Sequence, residues 1–109
     1  MFDITNHYKC YIGKHFDQTL IPSGIRMLFG NGNVISIQFG YGNYCDNRDE
    51  SKPECKTAEI AIWNKNGDWF EFDGGDTVKG WCDTDEVAKW INFAANNEIT
   101  RKNIENDDE

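Results

Sequence analysis

The sequence predicts an α+β domain: an antiparallel sheet of about four strands, arranged as two hairpins, with one C-terminal helix packed on it. Three observations predict this fold class. Several segments alternate apolar and polar residues, glycine- and asparagine-rich stretches separate them, and an amphipathic stretch near the C-terminus begins with a helix-capping pattern. The length of 109 residues fits one domain, residues 1–109, with a single modest core.

The first predicted hairpin surrounds the stretch GNGN at residues 30–33. Glycine and asparagine readily adopt the positive φ angles of a tight hairpin turn. On both sides of this stretch alternate residues are apolar, as expected for two strands that share one buried face. These apolar residues are Ile25, Met27, Phe29, Ile35, Ile37 and Phe39. Residues 1–24 alternate only weakly, so they predict either an irregular segment or an extra strand.

A second hairpin is predicted from the segments AEIAIW at 58–63 and WFEF at 69–72. The stretch NKNGD at 64–68 separates these segments, and its Asn66 and Gly67 suit the positive-φ positions of a turn. The two hairpins together supply the four predicted strands.

The helix is predicted to start at Asp83, because an aspartate there can cap the first turn and Glu86 follows at the spacing of a capping box. An apolar stripe at helical spacing would lie across the sheet. Its members are Val87, Trp90, Ile91 and Ala94. The polar, acidic tail at residues 98–109 is expected to be either an extension of the helix or frayed.

Aromatic residues make up 14% of the chain, and all four tryptophans lie in its second half. Because the ordinary role of aromatic side chains is core packing, most of these tryptophans are expected to help fill the core. They are Trp63, Trp69, Trp81 and Trp90.

The chain is acidic, since 19 Asp and Glu against 11 Lys and Arg give a formal net charge of -8. This balance argues against direct binding of nucleic acid or of an anionic membrane, because both need a basic surface. The excess is concentrated in residues 68–86, which hold seven carboxylates and one lysine, Lys79. The carboxylates are Asp68, Glu71, Asp73, Asp76, Asp83, Asp85 and Glu86. Such a segment is either a solvated face or a surface that attracts a basic partner.

The N-terminal sequence MFDITNHYKC has neither the basic start nor the apolar run of a signal peptide, and no stretch approaches the length of a membrane span. We therefore expect a soluble, cytoplasmic protein. In that reducing compartment the four cysteines are expected to be free thiols or small core residues. They are Cys10, Cys45, Cys55 and Cys82.

The residues with reactive side chains do not predict an active site. Cys45 and Cys55 are ten residues apart, unlike the short spacing of paired zinc ligands, and Asp46 beside Cys45 opposes a thiolate. Asp73 and Asp76 form the best pair of carboxylates, but nothing around them predicts the shifted pKa that acid–base catalysis requires. We expect no catalytic residue, no metal site and no cofactor.

The loop QFGYGNYCDNRDESKPEC at residues 38–55 leaves two interpretations open. In one, it is a packed loop in which Tyr44 and Cys45 are partly buried. In the other, it is a recognition surface. The residues of that surface would be Tyr41, Asp46 and Arg48.

Three stretches carry a family resemblance: NGNVISIQFGYGNYCDNR, TAEIAIWNKNGDWFEF and DTVKGWCDTDEVAKWINFA. Their succession, over about residues 31–94, resembles a group of small, mostly uncharacterised proteins encoded by bacteriophages and prophages. The resemblance implies a small phage product and transfers no catalytic residue. Such products often bind and block a host protein, including defence proteins such as CRISPR complexes and restriction enzymes.

The leading hypothesis is therefore a small acidic, non-enzymatic binding protein that inhibits a host defence or nucleic-acid-binding protein, of the anti-CRISPR or anti-restriction type. We expect its partner to be a host protein with a basic surface, met in the host cytoplasm, and the chain itself to be a monomer or a small homo-oligomer. The residues predicted to contact the partner are Tyr41, Asp46, Arg48, Asp68, Asp73, Asp76 and Asp83.

Two other functions remain open. One is a small metal- or cysteine-dependent enzyme, or a ligand-sequestering protein, centred on Cys45, Asp46 and Arg48. The other is a structural component of a virion, which would self-associate through the edges of its sheet.

Overall fold

Five strands and one helix make up the described part of the chain. The computed structural model describes residues 1–10, 16–39, 44–45 and 55–99, and the side chains of these residues except in 3–10 and 16–23. The strands are β1 (Phe2–Cys10), β2 (Phe16–Leu28), β3 (Val34–Gln38), β4 (Ala58–Trp63) and β5 (Lys79–Cys82), and the helix is α1 (Thr84–Asn96). A short 3-10 turn spans Asp73–Gly75.

The strands are antiparallel and lie in the sheet in their order along the chain, β1-β2-β3-β4-β5. The predicted fold class is confirmed, because an antiparallel sheet carries one C-terminal helix and the first hairpin joins β2 to β3 around residues 30–33. The first 24 residues were compatible with an irregular segment or an extra strand, and their described backbone lies in β1 and the start of β2.

The segment 69–72, predicted as the fourth strand, is not a strand in the structure. Trp69 forms a single bridge to Trp63, and the N–H of Phe70 donates to the carbonyl oxygen of Ile62 at 2.8 Å. The apolar–polar alternation of this segment is real, but an extended segment becomes a strand only where its backbone has a continuous hydrogen-bonding partner.

The edge of the sheet next to β4 is instead formed by two separate pieces of chain. Residues 69–70 accompany one end of β4, and β5 pairs with the other end. The residues between them leave the sheet and return to it, and we call them the 71–78 excursion. Within it Phe72 turns into the core, with 7% of its surface exposed, and its burial favours the departure of the chain from the sheet.

Three turns share one backbone geometry. In each, the N–H of the first residue donates to the carbonyl of the fifth, and the N–H of the fourth donates to the carbonyl of the first, at 2.8–3.0 Å. The turns are residues 29–33, 64–68 and 72–76. Their fourth residue is a glycine with φ between 83° and 90°, a left-handed conformation that is costly for other residues. Asn66, which the sequence also assigned to a positive-φ position, does not adopt one.

The two faces of the sheet differ in what covers them. α1 packs against β3, β4 and β5 on one face, which we call the helix-covered face. Ile35, Ile60 and Ile62 on this face have no exposed surface. Because side chains alternate along a strand, the register places the intervening residues on the opposite, helix-free face. Its members in β2, β3 and β4 are Arg26, Leu28, Val34, Ser36, Gln38, Glu59, Ala61 and Trp63.

α1 begins as the sequence predicts. The Asp83 carboxylate accepts a hydrogen bond from the backbone N–H of Glu86 at 2.8 Å. Ala94 of the predicted stripe is fully buried, and the other three members are half-buried and pack against the core. An aromatic cluster with ring centroids 5.0–5.8 Å apart joins the helix to residues 70–72, where the excursion begins. Its members are Phe70, Phe72, Trp90 and Phe93.

Two asparagines of the 29–33 turn donate hydrogen bonds to the C-terminal end of α1. The Nδ2 of Asn33, a residue that is 3% exposed, donates to the carbonyl oxygens of Ala94 at 2.9 Å and Asn97 at 2.7 Å. The Nδ2 of Asn31 donates to the same Ala94 oxygen at 3.0 Å. The last carbonyls of a helix lack partners within the helix, so these amides take the place that basic side chains often fill.

The chain after α1 differs from the predicted tail. α1 ends at Asn96, Asn97 is extended, and Ile99 is 2% exposed within the core, so residues 97–99 neither continue the helix nor fray. The Ile99 carbonyl also accepts a hydrogen bond from Asn64 Nδ2 at 2.6 Å. Residues 100–109 lie outside the described part of the chain. No helix among the described residues is long and apolar enough to span a membrane.

Candidate functional site

Four of the seven residues predicted to contact a partner belong to the described chain. These are Asp68, Asp73, Asp76 and Asp83. The other three, Tyr41, Asp46 and Arg48, lie outside the described residues. The acidic segment can therefore be interpreted residue by residue.

Two of the four carboxylates are part of the fold. Asp68 Oδ2 accepts a hydrogen bond from Asn64 Nδ2 at 3.2 Å, and the Asp68 N–H donates to Asn64 Oδ1 at 2.9 Å, which closes the 64–68 turn. Asp83 caps α1 through the N–H of Glu86. Local structure therefore accounts for the presence of both aspartates.

Asp73 and Asp76 stand apart from that pair, because they lie at the tip of the 71–78 excursion and are exposed. The hydrogen bonds of this turn use backbone atoms of Asp76 and neither carboxylate. Between the two aspartates, Gly74 and Gly75 have φ of 87° and 83°, and no other atom lies within 4 Å of the place where a Cβ would be. The tip therefore extends into open space with its two carboxylates in water.

A stacked aromatic pair, Tyr44 and Trp81, lies beside β5. Their ring centroids are 5.5 Å apart and the rings are inclined by 29°. Tyr44 is 45% exposed and Trp81 is 53% exposed. Partial burial of Tyr44 was one of the two interpretations of its loop, and core packing was the expectation for most of the tryptophans. Cys45, by contrast, is 1% exposed.

Backbone hydrogen bonds fix this pair to the sheet. The Trp81 N–H donates to the Tyr44 carbonyl oxygen at 2.8 Å, and the Tyr44 N–H donates to the Glu59 carboxylate at 2.8 Å. Glu59 lies on the helix-free face by register, so the pair is anchored from that side of β4. The approach is close, since a Cβ on Gly80 would be 2.6 Å from the Tyr44 Cβ.

A second stacked pair lies at the other end of β4. The rings of Trp63 and Trp69 are 4.7 Å apart and inclined by 25°, and Trp69 is 41% exposed. Leu28, on the same helix-free face, is also 41% exposed. Trp63 lies four positions after Glu59 in β4, which corresponds to about 13 Å along a strand. The helix-free side thus has an aromatic pair near each end of β4.

Two cavities of ligand size open on the described surface. One, of about 660 Å³, lies between the 29–33 and 64–68 turns and the end of α1, and six asparagines line it. Five of these asparagines donate their side-chain amides to backbone carbonyls, so the amides belong to the fold. They are Asn31, Asn33, Asn64, Asn96 and Asn97. The other cavity is a groove of about 500 Å³ between α1 and the sheet. Its lining includes Phe39, Cys55, Ala58, Val87 and Ile91.

The cysteines whose side chains are described are Cys45, Cys55 and Cys82. Cys82 is 1% exposed, and burial raises the pKa of its thiol; Glu86 and Asp83 add to the rise, while Lys79 opposes it. A raised pKa keeps this thiol protonated at neutral pH, which is the opposite of what a cysteine nucleophile needs. Among the described residues, no three His, Cys, Asp or Glu side chains come together as a metal-binding group.

The chain was compared with protein-family models, curated proteins and solved structures, and none of them matches it. The candidate site is therefore interpreted from its own geometry. Its described components are the two aromatic pairs on the helix-free side and the carboxylates of the excursion tip.

Proposed function

We propose that this chain is a non-enzymatic binding protein that recognises a protein partner with a basic surface. The observation that carries the proposal is the pair of aromatic stacks on the helix-free side of the sheet, where Tyr44, Trp69 and Trp81 are each more than 40% exposed. Large aromatic side chains are normally buried in a core. Trp and Tyr are also among the residues that most often dominate the binding energy of protein interfaces.

The charge of the chain selects the kind of partner. A net charge of -8, with Asp73 and Asp76 extended into solvent, repels phosphate groups and attracts lysine and arginine. The field accelerates the encounter with a basic partner, and the aromatic rings then supply contact area that excludes water. In this proposal the acidic charge and the exposed aromatic rings therefore have separate roles in binding.

The resemblance to small phage proteins suggests the identity of the partner as a class. Defence complexes of the CRISPR or restriction type bind nucleic acid and therefore have basic surfaces. An acidic protein that occupies such a surface would inhibit the complex in the host cytoplasm. This finer proposal rests on the resemblance, whereas the coarser one rests on the exposed rings and the charge.

The test is a binding experiment with charge-matched variants. The wild-type chain, D73N/D76N and D73E/D76E are immobilised and exposed to host lysate at low and high salt. We expect one host protein to bind the wild type and D73E/D76E at low salt, and to be lost at high salt, because exposed charges are screened over about 10 Å at 0.1 M. Loss of capture by D73N/D76N alone shows that charge at the tip is needed. Capture that is the same at low and high salt, and the same for the wild type and D73N/D76N, contradicts the electrostatic proposal.

A second candidate function is the sequestration of a small apolar ligand in the groove beside α1. Its volume of about 500 Å³ falls within the range of small-molecule sites, and Phe39, Val87 and Ile91 make it apolar. An uncharged apolar dye should bind the wild type and be excluded by Ala88→Trp, which places a large ring at an exposed position of the groove lining. Equal dye binding by both proteins argues against this function.

The virion-component alternative predicts self-association through sheet edges. Light scattering over a concentration series separates it from the binding protein. A mass that stays that of a monomer or small oligomer supports the binding protein, and a mass that grows with concentration supports the virion component.

A further inference from the structure

The backbone of Trp81 is strained in a way that fixes its ring at the surface. Its φ is +50°, a left-handed conformation, and among the described residues other than glycine it is alone in having a positive φ. A bulky residue in this region destabilises the chain locally and persists only where the surrounding structure enforces it. Here the enforcing contacts are the hydrogen bond to Tyr44 and the ring stack. The strained conformation does not place the indole ring in the core, since the residue is 53% exposed.

The two ends of the helix-free face differ in charge. At the end with Trp63, a cavity of about 210 Å³ is lined by Trp63, Arg26, Leu28 and Val34, so the Arg26 guanidinium lies near the Trp63 ring. The register places Asp3 opposite Arg26, so the chain supplies charges of both signs at this end. A cation already near the ring disfavours the binding of a second one there. The rings of Trp63 and Trp69 are therefore the less suitable place for a cation.

Among the described residues, the end with Tyr44 and Trp81 has more carboxylates than cations. The Glu59 carboxylate accepts a hydrogen bond from the Tyr44 N–H at 2.8 Å, and Asp83 and Asp85, which follow Trp81 in the chain, are exposed. Lys79 is the cation of β5 and offsets one of these charges. An exposed indole ring at an acidic end of the sheet favours an arginine side chain, because its flat guanidinium stacks on the ring and the negative charge attracts it.

We infer that the Tyr44–Trp81 pair is the anchor for an arginine side chain of the basic partner, which stacks on the Trp81 ring. The inference rests on the proposed function and names the chemical group that the site takes. Arginine is favoured over lysine because the ammonium group is compact and more strongly hydrated. It is favoured over a sugar, which also stacks on exposed rings, because a neutral ligand would gain nothing from the surrounding carboxylates.

The experiment uses two probes of equal charge, a short peptide that alternates glycine with arginine and its counterpart with lysine. Binding to the whole chain is followed at low salt by the NMR signals of the four indole N–H groups, assigned with single Trp→Phe variants. We expect the arginine peptide to shift the Trp81 signal and to bind several-fold more tightly than the lysine peptide. Trp81→Gly should weaken its binding at least about tenfold, the loss typical of an interface anchor.

Trp81→Gly is chosen because glycine adopts a positive φ at no steric cost, so the variant is expected to fold. Trp69→Ala is the matched control, since it removes an exposed ring from the other pair, 41% exposed against 53% for Trp81. It should leave the affinity for the arginine peptide within about twofold. Similar losses in Trp81→Gly and Trp69→Ala would overturn the assignment to this pair.

The outcomes separate this inference from the proposed function. If Trp81→Gly binds the arginine peptide as tightly as the wild type does, the inference is overturned. If D73N/D76N alone then loses capture of the host protein, the proposed electrostatic function still holds. Failure of both peptides to bind at low salt overturns both. Binding of a neutral oligosaccharide at Trp81, without binding of the peptides, replaces arginine by a sugar and overturns the inference as well.

Discussion

Ile60 and Ile62 on the helix-covered face of β4 have no exposed surface. Glu59 and Trp63 on the helix-free face are half-buried, and each contacts a residue with an exposed ring, Tyr44 and Trp69 respectively. One strand of six residues thus serves two different purposes. The comparison teaches that strand alternation allows a small domain to bury one face of its sheet under a helix while aromatic rings remain exposed on the other side. The two faces should therefore respond differently to substitution.

The largest difference is expected between core and surface truncation. Ile62→Ala should reduce the free energy of unfolding by about 2–5 kcal/mol, because it leaves a cavity among fully buried side chains. Trp69→Ala on the helix-free face should cost at most about 1 kcal/mol, since its ring is already partly in water. Chemical denaturation of both variants measures the difference. Equal losses would mean that the helix-free face is part of the core.

A smaller difference is expected at the end of α1. Asn33→Ala should cost about 1–3 kcal/mol, because it removes the buried amide that donates to the Ala94 carbonyl in the last turn of α1 and to the Asn97 carbonyl after it. Asn31 donates to the same Ala94 oxygen from an exposed position, so Asn31→Ala should cost clearly less. Denaturation curves and amide exchange in the last turn of α1 measure both effects. A cost for Asn31→Ala that matches that of Asn33→Ala contradicts this ranking.

The acidic segment should divide into structural and surface carboxylates. Asp83→Ala removes the cap of α1 and should cost about 1 kcal/mol. D73N/D76N should stay within about 0.5 kcal/mol of the wild type, because neither carboxylate takes part in the hydrogen bonds of its turn. Thermal unfolding of the two variants under one condition makes the comparison. A large loss in D73N/D76N would show that the tip, too, belongs to the fold.

The smallest expected effect is a pH dependence from Cys82. In the unfolded chain this thiol ionises at its ordinary pKa of 9.0, while burial raises its pKa in the folded chain. As pH rises between these two values, the unfolded chain loses the proton first, so the stabilising contribution present below pH 9 is lost. The free energy of unfolding should fall more steeply above this pH in the wild type than in Cys82→Ala. Parallel slopes contradict the prediction.

The sequence predicts those parts of the fold that depend on local pattern. The β2–β3 hairpin follows from alternation around a glycine turn, and the start of α1 follows from Asp83 and Glu86. The strand at 69–72 could not be rejected by the same reasoning, because alternation looks alike in a paired and an unpaired extended segment. Tertiary structure determines that residues 69–72 do not form a strand, since Phe72 enters the core and β5 pairs with β4.

The candidate site could be predicted only in part for a similar reason. Charge counting found Asp73 and Asp76, and it also selected Asp68 and Asp83, whose carboxylates serve the turn and the helix. The Tyr44–Trp81 pair was missed, because its members are far apart in sequence and no local pattern links them. Gly80, which permits the close approach of Tyr44, was the one available signal.

The order of the strands in the sheet has a consequence for folding kinetics. Because every strand pairs with its neighbours along the chain, paired residues of the sheet lie at most 29 positions apart, the separation of Val34 and Trp63. The bonds from Asn33 to the end of α1 join residues 61 and 64 positions apart. Closing a loop of twice the length costs about 0.6 kcal/mol more entropy, and contacts that are closer in sequence form faster. We expect the sheet to form first and the docking of the helix end to be the late step that completes the native state.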